Sequence, residues 1–178
     1  MDLNIWLVSG WRGVGKTPFC QKIICQAQQS GWDVAGIISV PVYQDGEKIS
    51  IWAENIRSKE KRLLASTSRQ NTNEIILGKW FVQQDAIHWG NDVITQSTPC
   101  DLLVVDELGP LELESNQGWN SALKVLLKGE YKFALVVIRP ELIQKAIEIF
   151  APRQIVEITN ADEIDRKAEY FAAEMLRG

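Results

Sequence analysis

Histidine is nearly missing from this sequence: His88 is the only one in 178 residues. The three cysteines, Cys20, Cys25 and Cys100, are odd in number and form no C-x-x-C pair. These shortages leave no basis for a zinc centre or a Cys/His catalytic site. Cys20 and Cys25 are expected to pack on a helix, and His88 to lie at or near the surface. No run of 18 apolar residues occurs, and no basic segment precedes an apolar one, since Met1-Asp2 leads straight into the first β-prone stretch. A cytoplasmic chain with neither signal peptide nor membrane span is therefore predicted. Positive charge is not concentrated either. Nineteen Lys and Arg face 23 Asp and Glu for a net charge of −4, with no basic block. Nucleic-acid binding is not expected from that balance. Internal repeats, low-complexity tracts and interdomain linkers are also missing.

What is present suits one domain spanning residues 1–178, with 46% hydrophobic and 24% charged residues. Its most informative stretch is Gly10-Trp11-Arg12-Gly13-Val14-Gly15-Lys16-Thr17, which reads G-x-x-x-x-G-K-[ST]. Glycines at these spacings let the backbone turn tightly and approach a phosphate. Successive N–H groups then converge at a helix N-terminus as an anion nest. Lys16 reaches the outer phosphates and the Thr17 hydroxyl suits Mg²⁺. The motif needs a strand before it and a helix after it. Both are indicated: Ile5-Trp6-Leu7-Val8 precedes it, and Phe19, Cys20, Ile23, Ile24 and Ala27 follow at helical spacing, with Gly31 closing the helix.

Further along, the pattern predicts strand over 34–42, a hairpin turn at Gln44-Asp45-Gly46-Glu47 and a return strand over 48–53. Residues 54–73 are polar and charged and read as a short strand with an exposed loop. Ile75-Ile76-Leu77 reads as a brief strand. Val82, Ala86, Trp89 and Val93 share a helical face, which predicts a helix over 82–95. The remainder reads as strand at 102–105, helix at 117–128, strand at 131–138, helix at 141–150, strand at 154–159, and a helix at 161–176 capped near Asn160. Alternating strands and helices predict an α/β fold, with a mainly parallel central sheet, helices on both faces and an early β-hairpin.

Leu102-Leu103-Val104-Val105 is a continuous apolar run ending in Asp106-Glu107. Such a run places a carboxylate at the C-terminal end of a buried strand, the edge where ligands bind in open α/β sheets. Asp106 is the candidate to orient Mg²⁺ together with Thr17, and Glu107 the candidate to accept the proton of an attacking water. Arg139, after the strand 131–138, lies on the same edge. It stands either as a group that offsets charge on a transferring phosphoryl or as an exposed arginine before Pro140. Trp11 is expected to pack on a neighbour, and the other tryptophans to be core or rim.

The phosphate loop and the run Val104-Val105-Asp106-Glu107-Leu108-Gly109-Pro110-Leu111-Glu112-Leu113 together resemble the cancer-related and thermophile nucleoside-triphosphatase family. Leu77-Gly78-Lys79-Trp80 is similar to that family's Gly-Lys-Tyr element. The resemblance covers nearly the whole chain. It implies a three-layer P-loop NTPase domain of RecA-like type and slow Mg²⁺-dependent hydrolysis of several nucleoside triphosphates, ATP and GTP among them. The nucleotide-contacting segments it implies are Gly10, Trp11, Arg12, Gly13, Val14, Gly15, Lys16 and Thr17, then Leu103, Val104, Val105, Asp106, Glu107, Leu108, Gly109 and Pro110. The chain departs from the family at three places. Thr17-Pro18 replaces the usual Thr-Thr or Thr-Ser. Ser39-Val40-Pro41-Val42-Tyr43 lacks the family's acidic and basic residues. Thr159-Asn160-Ala161-Asp162 reduces its late Asn-Arg element. Two other readings stay open: a nucleotide or metabolite kinase or cofactor-biosynthetic transferase, with 57–69 and its Arg57, Arg62 and Arg69 as the lid, and an ATP-driven switch or assembly factor. No guanine-reading Asn-Lys-x-Asp occurs.

Overall fold

The computed structural model describes residues 4–115 and 117–177; the lead from Met1-Asp2 into the first strand and the terminal Gly178 lie outside the described residues. The strands are β1 (Ile5–Ser9), β2 (Val34–Gln44), β3 (Glu47–Asn55), β4 (Lys61–Ser66), β5 (Glu74–Leu77), β6 (Trp80–Gln83), β7 (Cys100–Leu108), β8 (Tyr131–Ile138) and β9 (Gln154–Glu157). The α-helices are α1 (Lys16–Gln29), α2 (Gln84–Thr95), α3 (Pro110–Ser115), α4 (Asn120–Lys128), α5 (Ile143–Phe150) and α6 (Ile164–Arg177). Short 3₁₀ turns, Pro140–Leu142 and Ala161–Glu163, lead into α5 and α6.

The strands form one nine-stranded sheet in the order β5-β6-β4-β3-β2-β7-β8-β1-β9. From β2 to β9 every neighbouring pair is parallel. From β2 to β5 every pair is antiparallel. The sheet is therefore mixed, which corrects the mainly parallel sheet expected from the alternation of strands and helices. The cause is connection length. Asp45-Gly46 joins β2 to β3 and Gly78-Lys79 joins β5 to β6, and links that short cannot carry the crossover a parallel pair requires.

Two more boundaries differ from expectation. Val82 sits in β6, opposite Ala65 and Ile75, and the helix begins only at Gln84. Its apolar side chain satisfies a helical period and a strand pairing equally, and the pairing decides. The single helix expected at 117–128 is preceded by the separate α3, and α4 starts at Asn120.

The sheet separates two cores. On β1, Trp6 and Val8 face a cluster with Phe19, Ile23 and Ala27 of α1 and Ala168, Phe171 and Met175 of α6. Ile5 and Leu7 face the other cluster, with Ile94 of α2, Ala122 and Leu126 of α4, and Ala146 and Phe150 of α5. Strand period two and helix period 3.6 thus meet on both faces. Full burial of side chains such as Phe19 and Ile23, at 0% and 1% exposure, stabilises the α1 contact by about 1.5–3 kcal/mol each. Cys20 packs there as expected, but Cys25 is exposed on the outer side of α1.

Candidate active site

β1 runs out of the core at Ser9 and the chain turns sharply at Gly10 before entering α1. A Cβ at Gly10 would lie 2.3 Å from the Ile158 carbonyl oxygen. Gly15, at φ +108, holds the left-handed conformation from which the helix starts, with Ile164 Cδ1 2.2 Å from where its Cβ would be. A side chain at Gly10 would clash with backbone, and one at Gly15 would need a left-handed backbone and would displace the Ile164 side chain. Lys16, 8% exposed, donates from Nζ to the carbonyls of Gly10 at 2.6 Å and Trp11 at 3.1 Å. The ammonium is thereby held across the loop. Trp11 is 70% exposed, which overturns the expectation that it packs on a neighbour: its side chain stands out from a loop whose backbone is turned inward.

β7 delivers the second half of the site. Leu103, Val104 and Val105 are wholly buried and fix the strand in the middle of the sheet. Asp106, 2% exposed, accepts from the Thr17 hydroxyl at 3.0 Å and from the Ser39 amide at 3.3 Å, both through Oδ2. The Ser39 hydroxyl in turn donates to the Asp106 carbonyl at 2.9 Å. Burial pushes the Asp106 carboxyl up to about 7, and the Glu107 charge adds to that rise. The Ser39 amide, the Thr17 hydroxyl and Lys16 oppose it. A buried carboxylate in this state is short of positive charge. The Asp106-Glu107 peptide is cis.

Glu107 Oε1 accepts from Arg139 Nε at 2.5 Å, with the two side chains 31% and 35% exposed. Arg139 therefore comes from the end of β8 to the carboxylate at the end of β7. Gly10, Trp11, Arg12, Lys16, Glu107 and Arg139 line one cavity of about 260 Å³. The loop, the strand-end acid and the arginine are thus brought together. Gly109 and Pro110 border a second, larger cavity beside it, which Glu107, Arg12 and Arg139 also line.

Three residues have roles that the sequence reading did not assign. Ser39 bonds Asp106 twice but reads in sequence as one more residue of a strand. Lys48, at the start of the return strand, is half-buried. Burial lowers its ammonium below the usual lysine value; Glu107 and Asp106 raise it, while Arg12 and Lys16 lower it further. Those neighbours put Lys48 in the field of the site. Its only sequence signal was the hairpin turn two residues before it. Glu112 is buried and accepts from the amides of Gly109 at 2.8 Å and Trp119 at 3.0 Å. It ties the segment after β7 to the start of α4, which is why the run beyond Asp106-Glu107 has a chemistry of its own.

The other residues weighed for the site are engaged elsewhere. Arg57 pairs with Asp33 at 2.7 Å and donates to the carbonyls of Gln96, Ser97 and Pro99. Arg62 pairs with Glu60 at 3.0 Å and lies over Trp89, and Arg69 reaches Glu74 at 3.6 Å and lies over Phe81. The stretch 57–69 is therefore pinned down as part of the antiparallel half of the sheet. Asn160 and Glu163 form a capping box at the 3₁₀ turn before α6.

The donors fit a hard divalent cation. The Thr17 hydroxyl and Asp106 carboxylate are oxygen donors held 3.0 Å apart, and burial with the Glu107 charge outweighs the help Lys16 gives the carboxylate. Mg²⁺ typically takes one or two protein oxygens and completes its shell with phosphate and water. Among the described residues no group of three or more His, Cys, Asp or Glu could cage a metal.

A family model described as NTPase matches residues 5–171. Nucleoside-triphosphatase THEP1 of Thermococcus kodakarensis is 30% identical over 173 residues, which span 96% of this chain and 91% of that protein. The THEP1 of Caldivirga maquilingensis is 30% identical over 107 residues, 60% of each chain. Two solved structures share the fold. A human cancer-related nucleoside triphosphatase in solution superimposes with TM-score 0.69 at 17% identity, covering 96% of both chains. THEP1 from the hyperthermophile Aquifex aeolicus superimposes with TM-score 0.72 at 14% identity, covering 96% of this chain and 98% of the other.

Proposed function

Because the chain belongs to the NTPase family, and so is a nucleoside-triphosphate hydrolase, we propose that it cleaves ATP, GTP and related triphosphates to the diphosphate and phosphate, at a Mg²⁺ site made by Thr17 and Asp106. The observation that carries this reading is the 3.0 Å bond between Thr17 and Asp106. It joins a phosphate loop to a strand-end carboxylate 89 residues away, with Glu107 directly beside it. The parallel half of the sheet is then a RecA-like nucleotide core.

Each residue takes a distinct part. The amides of 10–17 and the Lys16 ammonium bind the phosphates and offset their charge, with Lys16 exchanging its carbonyl partners for phosphate oxygens. Thr17 and Asp106 would hold Mg²⁺, which would supply charge neutralisation for the phosphates. Glu107 accepts the proton of the water that attacks the γ-phosphorus. Arg139 holds Glu107 in place through its Nε and lies close enough to offset charge on the phosphoryl group. Val104 and Val105 contribute only position, because their side chains are wholly buried.

The test is phosphate release across a panel of nucleoside triphosphates, with and without Mg²⁺, for the wild type and Glu107→Gln. Release should need Mg²⁺ and fall by about 10²–10⁴-fold in the variant, while MgADP binding persists. Undiminished turnover in Glu107→Gln would remove Glu107 as the base.

A further inference from the structure

The phosphate-loop cavity is not the larger of the two that meet at Glu107. The second, about 470 Å³, is lined mainly by Ile51, Leu64, Trp80, Ile87 and Trp119, and it reaches Arg12, Glu107 and Arg139 at one end. Its floor is the antiparallel half of the sheet and its roof is α2 with residues 109–112 and 118–119. Neither Gly10, Trp11 nor Lys16 lines it, so it is a separate space that shares only its charged end with the phosphate site. An attacking water occupies about 30 Å³, less than a tenth of this chamber, so the chamber offers far more room than that water needs. An apolar chamber with charged groups gathered at one end is the usual form of a small-molecule site.

The charges at that end define the ligand. Arg12 forms no hydrogen bond or ion pair among the described residues and Arg139 is paired through Nε alone, while Glu107 supplies one negative charge. Glu112 also borders the chamber, but both its oxygens are taken by the amides of Gly109 and Trp119. With Glu107 paired to Arg139, Arg12 carries the one unbalanced charge at that end, which favours a single negative charge on the incoming group. The walls call for a flat apolar body, since two indoles and three aliphatic side chains surround it.

We propose that this second cavity binds a small organic monoanion, its aromatic or apolar body between the antiparallel sheet and α2 and its anionic head at Arg12 and Arg139. Such a ligand would sit against the Glu107–Arg139 pair while a nucleotide occupies the phosphate loop. The site stands whether or not Glu107 is the base.

The probe is anilinonaphthalene sulfonate, a fluorescent aromatic monoanion, titrated into the folded protein with tryptophan excitation. Saturable one-site binding with energy transfer from Trp80 and Trp119 is expected. Leu64→Trp, which fills the chamber from a half-buried position on β4, should weaken the dye by about tenfold or more, equivalent to about 1.4 kcal/mol. Arg12→Gln, at an exposed position, should weaken it by about three- to tenfold without touching the chamber walls. Saturating MgADP should weaken the dye through the shared arginines by no more than about tenfold and leave its binding saturable. Dye affinity unchanged in both variants, or no saturable binding, overturns the proposal. Competitive displacement by MgADP overturns it too, by assigning the chamber to the nucleotide. Phosphate release measured on the same samples reports separately on the hydrolase reading.

Discussion

Pro18→Thr should raise nucleotide affinity and lower stability at once. Pro18 is exposed at the third position of α1. The Phe19 amide donates to the Gly15 carbonyl at 3.0 Å and is the first to bond back along the helix. Amides before it have no partner within the helix and face the loop. Proline removes one of them from the anion nest at no cost to helix hydrogen bonding. Threonine restores a donor to a charged phosphate oxygen, worth about 1.5–3 kcal/mol. MgADP should therefore bind about 10- to 150-fold more tightly. The same change loosens the unfolded chain and costs about 0.4–1 kcal/mol of stability. For a domain of this size that lowers Tm by about 1–4 °C. Titration calorimetry with MgADP and a thermal melt without nucleotide read the two effects separately. Affinity within threefold of wild type would refute the argument, because the restored amide would then not reach a phosphate.

Three further changes test the scaffold. Gly90→Ala pits a helix-propensity gain of about 1 kcal/mol against a Cβ placed 2.2 Å from Trp119 Cζ3 and 2.9 Å from Ile37 Cδ1. Overpacking of a buried indole typically costs about 1–3 kcal/mol, so urea denaturation should show a net loss and the displaced Trp119 should weaken the dye. Increased stability would mean that the indole swings aside freely. Asn160→Ala removes the oxygen that accepts from the Asp162 amide at 3.1 Å and should cost about 1 kcal/mol in the same assay; an unchanged midpoint would show the cap to be idle. The Glu163 carboxyl is held down to about 2, from an ordinary 4.5, first by the Thr159 amide. A depressed carboxyl stabilises the fold fully above its unfolded value and less as pH falls toward the folded one. Glu163→Gln should therefore lose the part of the acid-induced drop in Tm between pH 4.5 and 2 that this group causes, and identical Tm profiles would contradict it.

The parts of the molecule legible in the sequence are those whose signals are local. Ile5-Trp6-Leu7-Val8 before the glycine loop, and the buried run before Asp106, each carry their structure within ten residues or so. Thr17 and Asp106 could be paired by chemistry alone, because a phosphate loop and a strand-end acid need one another. The antiparallel half offered no such cue. Trp80-Phe81-Val82 becomes a strand only because β4 and β5 lie alongside, and nothing within the segment announces those partners. Ser39 was invisible for the same reason: its two bonds to Asp106 span 67 residues. Glu112 was visible as part of a family resemblance, but its task became clear only when its carboxylate was seen to join Gly109 to Trp119. The second cavity lies wholly beyond sequence reasoning, since its walls come from β3, β4, β6, α2 and residues 109–112 and 118–119.

The position of β1 also dictates an order of assembly. Its hydrogen-bonding neighbours are β8 and β9, Ala134 to Ile138 and Gln154 to Glu157, at the opposite end of the chain. A polypeptide made from its N-terminus makes the phosphate loop more than 100 residues before β8, yet cannot seat it until β8 and β9 have been synthesised. At about 5–20 residues per second, that delay lasts several seconds or more. The loop's flanking strand stays unpaired meanwhile, and the long closure slows the final step. Seating of the loop thus waits on β8 and β9: a ribosome-bound fragment ending before β8 carries every residue of the loop and none of the parallel neighbours that flank β1.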